Sequence, residues 1–506
     1  MWCVEGEDVK ANKPQDVAVV AEKSDEAVVA EKPSKTWVTP VESVERRAEA
    51  EGKSASRNAL PAQDGEGALT FMERIGRKAK ERTEEQFTNL LSHVKVPLLR
   101  EAYMRLSRHA SPGVDRVTWT EYGGEKLDER LADLQDRVHR GSYHPQPVRR
   151  VHIPKGDGGM RPIGIPSLED KIVQQAARMI LQEIYEPSFL GFSYGFRPGR
   201  GQHDALDAVA TMITRRKVNW VLDADIRSFF DTIDHGCLRQ FIEHRIGDQR
   251  LVRLLMKWLN AGVLEDGELR VVKEGTPQGG GISPLLANVY LHYAFDLWVR
   301  DWRRQHARGE VYVVRYADDF VMGFQFEQDA RAFHEALASR LVQFGLQLHA
   351  DKTRVIRFGR FARRDCAKEG LSGPPTFDFL GFTHICSEDQ AGRFVLRRRT
   401  SRKKRRAKLA RLKEEIERRK HAAMPAQHAW LSRHLDGHYR YYGVPTNYRA
   451  MTSYREAIRW MWHRALQRRS QRGRWTAEQT TRFDARFRLP TPKIHHPWPQ
   501  QRFAAR

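Results

Sequence analysis

The sequence predicts an α+β protein in which a mixed domain of strands and helices is followed by a basic, helical C-terminal part. Three observations support this. Between about residues 148 and 385, short runs of β-forming residues alternate with helical stretches. Before that region, apolar residues are loosely spaced as on helices. After Arg393 the chain becomes rich in Lys and Arg, with leucines at helical spacing.

The chain is strongly basic. It contains 87 Lys and Arg against 64 Asp and Glu, a net charge of +23. Such an excess favours a polyanionic partner through counterion release. An anionic membrane surface would also attract the chain, but no apolar run long enough to span a bilayer is present. Basic residues interleaved with Trp and Tyr favour nucleic acid, and no membrane association is expected.

The N-terminal segment differs from the rest of the chain. Residues 1–65 contain more acidic than basic residues and few aromatics, which predicts a disordered arm. The acidic start of the chain argues against a secretory signal. The cysteines form no Cys-x-x-Cys pair, so neither a disulfide framework nor a cysteine zinc site is predicted, and we expect a reducing, intracellular compartment. They are Cys3, Cys237, Cys366 and Cys386.

Acidic residues mark two predicted strand ends. In Trp220–Ile226 the side chains alternate, so Asp223 and Asp225 point to the same face of a strand. Farther on, two apolar runs flank Asp318 and Asp319, which predicts a buried hairpin with an acidic tip. An Asp-Asp pair alone is more often a solvated turn. The separate strand bearing Asp225 favours a metal site instead.

Buried neighbouring carboxylates cost several kcal/mol unless cations neutralise them. Mg²⁺ is the natural counter-charge, and two such ions can activate a 3′-hydroxyl and stabilise a pyrophosphate leaving group. We therefore hypothesise a two-ion Mg²⁺ site, with Mn²⁺ as a substitute, formed by Asp225, Asp318 and Asp319.

Seven motifs occur in a fixed order over about residues 90–470. With them the chain resembles the reverse transcriptases encoded by bacterial group II introns, which also act as splicing maturases. The motifs are SPGVD from Ser111, IPKGDGGMRPIGIPSLEDKIVQQA from Ile153, YEPSFLGFSYGFRPGR from Tyr185, DADIRSFFDTIDH from Asp223, GTPQGGGISPLLANVYL from Gly275, YADD from Tyr316 and FLGF from Phe379.

The resemblance implies a right-hand polymerase, with fingers and palm built on an antiparallel sheet and followed by an α-helical thumb and maturase domain. It divides the chain into five segments. They are the disordered arm (1–65), an N-terminal helical extension with the start of the fingers (66–147), fingers and palm (148–392), a helical thumb and maturase domain that binds RNA (393–480), and a basic Pro-rich tail (481–506).

The resemblance also assigns the catalytic residues. Asp225 matches the first metal-binding aspartate and Asp318 the second, with Asp319 beside it, while Asp223 is the nearest rival to Asp225. Phe230 follows Asp225 by five positions and matches a steric gate, whose ring excludes a 2′-hydroxyl. An ordinary core position is the alternative for Phe230.

Further residues are implied to contact the nucleotide or the primer. Lys155 and Arg161 flank a Gly-rich turn that would fold over the triphosphate, although such a turn is also typical of a plain hairpin. Gln278 matches a nucleotide and template contact. Lys352 matches a lysine proposed to protonate pyrophosphate, with a solvated lysine as the alternative. The implied primer grip is Phe379, Leu380, Gly381 and Phe382.

The basic stretch 393–420 is expected to grip a duplex by its phosphates, and the Arg-rich and aromatic stretch that follows is expected to bind structured RNA. Core packing is the alternative for about half of those aromatics. The implied RNA contacts are Arg397, Arg398, Arg399, Lys403, Lys404, Arg405, Arg406, Arg440 and Tyr441.

The implied partners are an intron RNA template, a DNA primer or target, and dNTPs, in a bacterial cytoplasm in association with the nucleoid. A homodimer is left open. An endonuclease-lacking type is expected because only His495 and His496 in the tail suggest a metal, and without cysteine pairs nearby they are expected to be surface residues. Retrohoming by target-primed reverse transcription would then use single-stranded DNA. Two alternatives stay open: a retron or diversity-generating reverse transcriptase, and an RNA-binding splicing factor whose polymerase has decayed.

Overall fold

The computed structural model describes residues 65–154, 159–265, 268–270, 275, 279–469 and 475–499. The predicted disordered arm therefore lies outside the described residues, apart from Gly65, with which the first helix begins. The described part contains both helices and strands throughout its middle region and a helical C-terminal region, so the predicted α+β class is confirmed.

The helices are α1 (Gly65–Glu81), α2 (Val96–Arg105), α3 (Trp119–Tyr122), α4 (Leu127–Arg140), α5 (Leu168–Tyr185), α6 (Gln202–Arg215), α7 (His235–Arg245), α8 (Gln249–Leu259), α9 (Ser283–Leu291), α10 (Leu297–Gln305), α11 (Glu327–Val342), α12 (Ala362–Lys368), α13 (Arg402–Arg419), α14 (Met424–Tyr442), α15 (Tyr448–Gln467) and α16 (Ala477–Arg486). A π-helical turn, His292–Asp296, joins α9 to α10.

The strands are β1 (Val148–Pro154), β2 (Met160–Ile165), β3 (Trp220–Asp225), β4 (Val263–Glu265), β5 (Glu268–Arg270), β6 (Val311–Tyr316), β7 (Asp319–Phe324), β8 (Arg354–Arg357), β9 (Phe377–Phe379), β10 (Phe382–Glu388) and β11 (Phe394–Thr400). They form three sheets, with the orders β2-β1-β4-β5, β6-β7-β3-β8 and β11-β10-β9. We call β6-β7-β3-β8 the central sheet. Its neighbouring strands are all antiparallel.

The central sheet is covered on both faces, which explains the continuous apolar runs of its strands. On one face Phe320 packs against Phe295 of the π-helical turn, with ring centroids 4.7 Å apart. On the other face Val221 and Val321 belong to the same apolar cluster as Leu206 of α6. Asp225 and Asp319 lie at the strand ends, where β3 ends and β7 begins.

Two local predictions are confirmed. The strand predicted over Trp220–Ile226 is β3, which ends at Asp225. The predicted hairpin is β6 and β7, joined by a turn at Ala317 and Asp318. Farther along the chain, α9 begins at Ser283, and Pro284 occupies its first turn, where the missing N–H costs no hydrogen bond.

The prediction that the chain becomes helical from Arg393 is wrong for the first part of that segment. Phe394–Thr400 is a strand that pairs along its whole length with β10, and α13 begins only at Arg402. The physical reason is alternation: Leu396 and Arg398 face inward while Arg399 is exposed. Because Leu396 also fits the spacing of the leucines in α13, the strand alternation of β11 was not evident from the sequence.

The predicted Pro-rich tail is also more structured than expected. Its first residues belong to α16, and beyond that helix Leu489 is buried against the C-terminal helices. The hydroxyl of Tyr439 donates to the carbonyl of Pro490 at 3.1 Å. Arg455 donates to the carbonyls of Leu489 and Pro490, so this segment packs along α14 and α15.

Candidate active site

The acidic residues meet at one edge of the central sheet. Asp225, the last residue of β3, pairs directly with Asp319, the first residue of β7. Asp318 precedes it in the turn, after Ala317, whose φ of 59° is in the left-handed region. Residues facing each other on antiparallel strands have Cβ atoms about 5 Å apart. Three carboxylates from two distant motifs therefore share one small volume.

These carboxylates lie in an unfavourable environment for negative charge. Burial, together with the neighbouring carboxylates Asp318, Asp225 and Asp223, raises the pKa of Asp319 to about 8. Burial likewise raises the pKa of Asp318, with a smaller contribution from Asp225. A raised pKa means that the folded protein holds protons there unless cations offset the charge. The cluster therefore has the electrostatic character of a cation site.

Three basic side chains surround the cluster. The Nζ atom of Lys352 lies 2.6 Å from Oδ2 of Asp225, although the Lys352 side chain is 59% exposed. The charge of Arg161 on β2 partly offsets the rise in the pKa of Asp318. The charge of Lys404 on α13 partly offsets the rise in the pKa of Asp319. The sequence predicted Lys404 only as an RNA contact, because nothing in a basic helix indicates which lysine faces the sheet edge.

The donor set suits Mg²⁺, which prefers carboxylate oxygen ligands and keeps part of its water shell. Within the described residues, no group of three or more His, Cys, Asp or Glu side chains is arranged to hold a metal ion. Asp225 instead accepts its hydrogen bond from Lys352. The fit to Mg²⁺ therefore rests on chemistry: oxygen donors, burial and raised carboxylate pKa values together call for a divalent counter-charge.

Asp223, the rival to Asp225, faces different surroundings. It lies opposite Val321 on one side and Arg354 on the other, and its Oδ2 atom is 3.5 Å from a guanidinium nitrogen of Arg354. Burial raises the pKa of Asp223 to about 6, and Arg354 opposes that shift. Asp223 therefore already has a cationic partner, Arg354, and lies two residues before the end of β3.

Phe230 lies in a short 3-10 turn, Phe229–Asp231, directly after β3. The ring of Phe229 is buried, whereas Phe230 is half-buried, and the two ring centroids are 5.4 Å apart. Gly275, with φ of 85°, packs so closely on the backbone of this turn that an added Cβ would lie 2.8 Å from the carbonyl oxygen of Phe230. Gly275 thus holds the backbone of this turn closely at Phe230.

Two predicted nucleotide contacts, Lys155 and Gln278, lie outside the described residues. Arg161, the partner expected for Lys155, is exposed on β2 opposite Ile153 of β1. Gly279, which follows Gln278, lies against the backbone of β2, because an added Cβ would be 2.5 Å from the carbonyl oxygen of Gly164.

The predicted primer grip is the tight turn between β9 and β10. Phe379 and Phe382 pair across it, and Leu380 and Gly381 occupy the turn with positive φ values. Both phenylalanine rings are buried, so any contact with a nucleic acid would be made by the backbone and by Leu380, which is half-buried. The hydroxyl of Tyr441 donates to the carbonyl of Leu380 at 2.7 Å.

The predicted RNA contacts differ in how far they are exposed. Arg398 is fully buried and paired with Asp207 of α6 at 3.1 Å, so its prediction as an RNA contact is wrong: alternation along β11 turns it inward. The hydroxyl of Tyr441 is likewise committed within the protein. Arg397 and Arg405 are half-buried. Exposed on the surface are Arg399, Lys403, Lys404, Arg406 and Arg440.

Residues that sequence reasoning missed include Arg315, Asp296 and Asn288, which lie directly behind the Ala317–Asp318 turn. The signal available in the sequence was an arginine inside the apolar run of β6.

None of the described helices has the length and apolarity needed to cross a membrane.

Comparison with known proteins identifies the family of this chain. The family model described as "Reverse transcriptase (RNA-dependent DNA polymerase)" matches residues 153–384, which include the acidic cluster. Protein YkfC of Escherichia coli (strain K12) is 38% identical over 280 residues, which are 48% of this chain and 72% of that protein.

Two intron-related proteins are also similar. Group II intron-encoded protein LtrA of Lactococcus lactis subsp. cremoris is 39% identical over 229 residues, 44% of this chain and 37% of LtrA. Nuclear intron maturase 3, mitochondrial, of Arabidopsis thaliana is 30% identical over 141 residues, 28% of this chain and 19% of that protein. The chain thus spans well under half the length of these two relatives. With its acidic cluster inside the matched region, the chain belongs to the reverse transcriptases, RNA-dependent DNA polymerases related to group II intron-encoded proteins such as LtrA and YkfC.

Proposed function

We propose that this chain is the RNA-directed DNA polymerase of a group II intron, that it binds the intron RNA as a splicing maturase, and that it supports retrohoming by target-primed reverse transcription. The observation that carries the proposal is the register of the central sheet, in which Asp225 pairs with Asp319 beside the Asp318 turn. Carboxylates from two separate motifs thereby meet at one sheet edge, as nucleotidyl transfer requires.

In this proposal Asp225, Asp318 and Asp319 hold two Mg²⁺ ions, with Mn²⁺ as a substitute. When bound, such ions supply charge stabilisation at the attacking and leaving oxygens. The protein's own contribution is to bind and orient the nucleotide. Arg161, exposed next to the cluster, would bind the dNTP triphosphate together with Lys155 and Gln278.

The architecture supports the same proposal. The β2-β1-β4-β5 sheet would belong to the fingers and the central sheet to the palm of a right-hand polymerase. The thumb and maturase part would then begin with β11 and continue through α13 to α15. The charge of Lys404 on α13 acts on Asp319, so the thumb and maturase part borders the proposed catalytic centre.

The surface of the C-terminal helices supports RNA binding. Leu412 and Ile416 of α13 are buried, while basic residues occupy much of the opposite face. On α15 the Trp460 side chain is 58% exposed, and the guanidinium of Arg464 lies 5.0 Å from its ring. An exposed tryptophan backed by an arginine can stack on an unpaired base. We infer that this face binds the intron RNA.

Two assays test the proposal. The wild-type chain is expected to extend oligo(dT) on poly(rA) with Mg²⁺, to lose this activity in excess EDTA, and to promote splicing of the group II intron RNA that flanks its gene. Tight RNA binding with no synthesis at any Mg²⁺ or Mn²⁺ concentration would contradict the polymerase proposal and favour a splicing factor. Synthesis without any effect on splicing would contradict the maturase role alone.

Lys352→Ala is expected to lower kcat for nucleotide addition about tenfold. The effect is modest because the Lys352 side chain is 59% exposed and its charge is screened by water. The measurement is steady-state primer extension, with Lys352→Arg expected to retain most of the activity. Lys217→Ala is the matched control, since Lys217 is also exposed and pairs with Glu310 at the far end of the central sheet. An unchanged kcat in Lys352→Ala would identify Lys352 as a solvated lysine without a role in synthesis.

A further inference from the structure

A buried ion pair lies directly behind the turn that carries Asp318. The side chains of Arg315 and Asp296 are 1% and 0% exposed. Nε of Arg315 donates to Oδ1 of Asp296 at 2.7 Å, and Nη2 donates to Oδ2 at 2.5 Å. These two parallel bonds fix the plane of the guanidinium. Asp296 itself ends the π-helical turn between α9 and α10.

The remaining guanidinium nitrogen of Arg315 reaches the turn. Its Nη1 atom donates to the carbonyl oxygen of Ala317 at 3.0 Å and to Oδ1 of Asn288 at 3.1 Å. Asn288 in turn donates through Nδ2 to the carbonyl oxygen of Gly195 at 2.7 Å. Every nitrogen of the Arg315 guanidinium therefore has a partner. The network contacts the backbone at Ala317, just before Asp318, and at Gly195.

The other side of the turn is closed by Gly195. A Cβ added to Gly195 would lie 2.3 Å from the backbone nitrogen of Ala317, so only glycine fits there. The backbone of Ser193 bridges to Arg315, and Tyr194 donates its N–H to the Arg315 carbonyl at 2.8 Å. Asn288 thus ties the chain segment around Gly195 to the same guanidinium that holds Ala317.

This arrangement is costly to build. Burying two charges carries a large desolvation penalty, and apolar residues of the same volume would often be as stable or more stable. Ala317 adds strain, because the left-handed region is unfavourable for a non-glycine residue. Costly features that a protein keeps at a turn are expected to serve the group that follows, which here is Asp318.

We propose that Arg315, Asp296 and Asn288 are positioning residues that hold the Ala317–Asp318 turn, and with it Asp318 and Asp319, in the geometry needed for nucleotide addition. The inference rests on the proposed catalytic role of those two aspartates. All three residues are buried, so they would act through the backbone of Ala317. A catalytic carboxylate displaced by about 1 Å can lower a rate about 100-fold.

The test compares Asp296→Asn and Asn288→Ala with the wild type. Both variants are expected to lower kcat for dATP or dTTP addition, by about 100-fold for Asp296→Asn and about tenfold for Asn288→Ala. KM for the dNTP and Kd for the primer–template duplex are expected to change less than about threefold, because the nucleotide and duplex contacts remain. Asn288→Ala leaves the ion pair intact and keeps the test informative if Asp296→Asn does not fold.

Asp207→Asn is the matched control. It breaks another buried ion pair, Arg398–Asp207, with side chains 1% and 2% exposed, which joins α6 to β11 rather than to the Ala317–Asp318 turn. Its melting temperature is expected to fall as much as that of Asp296→Asn, while its kcat stays within about threefold of the wild type. An equal loss of kcat in Asp207→Asn and Asp296→Asn would overturn the positioning role and leave only a general loss of stability.

Asp318→Ala separates the two proposals. If Asp318→Ala still synthesises DNA at the wild-type rate, the catalytic role proposed for Asp318 fails, and the positioning inference that rests on it fails too. If Asp318→Ala is inactive while Asp296→Asn and Asn288→Ala keep wild-type kcat, the proposed function stands and the positioning inference alone is overturned.

Discussion

Asp225→Asn is expected to lower DNA synthesis about a thousandfold or more. The substitution keeps the size and position of the side chain but removes a negative charge opposite Asp319. It also leaves Lys352 without its ionic partner at 2.6 Å. Loss of one metal-binding carboxylate removes several kcal/mol of charge stabilisation, and each 1.36 kcal/mol corresponds to a factor of ten in rate. Asp318→Ala is expected to have an effect of the same order.

The measurement is primer extension on poly(rA)/oligo(dT) over a range of Mg²⁺ concentrations. Asp223→Asn is the matched control, because Asp223 lies on the same strand, two residues earlier, and is paired with Arg354. We expect Asp223→Asn to keep synthesis within about tenfold of the wild type. Splicing of the intron RNA is expected to persist in both variants, since RNA binding needs no catalytic carboxylate. A severe loss in Asp223→Asn with normal synthesis in Asp225→Asn would reverse the assignment.

Phe230→Val is expected to lower the selectivity for dNTPs over rNTPs about 100-fold. The Phe230 ring lies 5.4 Å from the ring of the buried Phe229, and Gly275 packs closely on the backbone at Phe230, so a smaller side chain is expected to open space at this position. That space would accept a 2′-hydroxyl. Addition of dNTPs themselves is expected to change little, because no polar contact is lost.

The measurement is the ratio of kcat/KM for one dNTP to that for the matching rNTP on a defined RNA template. Phe230→Tyr keeps the ring and is expected to retain the selectivity of the wild type. If the ratio is the same in Phe230→Val as in the wild type, Phe230 is a core residue rather than the steric gate.

The sequence predicted most accurately the features that depend on a single strand or hairpin. The alternation in β3 and the apolar runs around the acidic pair predicted a strand and a hairpin, and both are present. Strand alternation and turn chemistry depend on neighbouring residues, so they are visible in a sequence. The motif order added the family, which the comparisons show.

The basic C-terminal part shows where pattern failed. Arg398 looked like its neighbours in a run of cations, yet β11 turns it inward to Asp207, whereas Arg399 remains exposed. Charge composition does not report which face of a strand is covered. Lys404 shows the converse, since a lysine in a basic helix lies beside Asp319.

The sequence by itself therefore determined the class of protein, the strand and turn that carry the acidic residues, and the basic character of the surface. Only the tertiary structure decided that Asp225 pairs with Asp319, that Asp223 faces Arg354, and that Arg315 lies behind the turn. The physical reason is range. Strand periodicity acts between adjacent residues, whereas register, burial and ion pairing depend on which distant segments the folded core brings together.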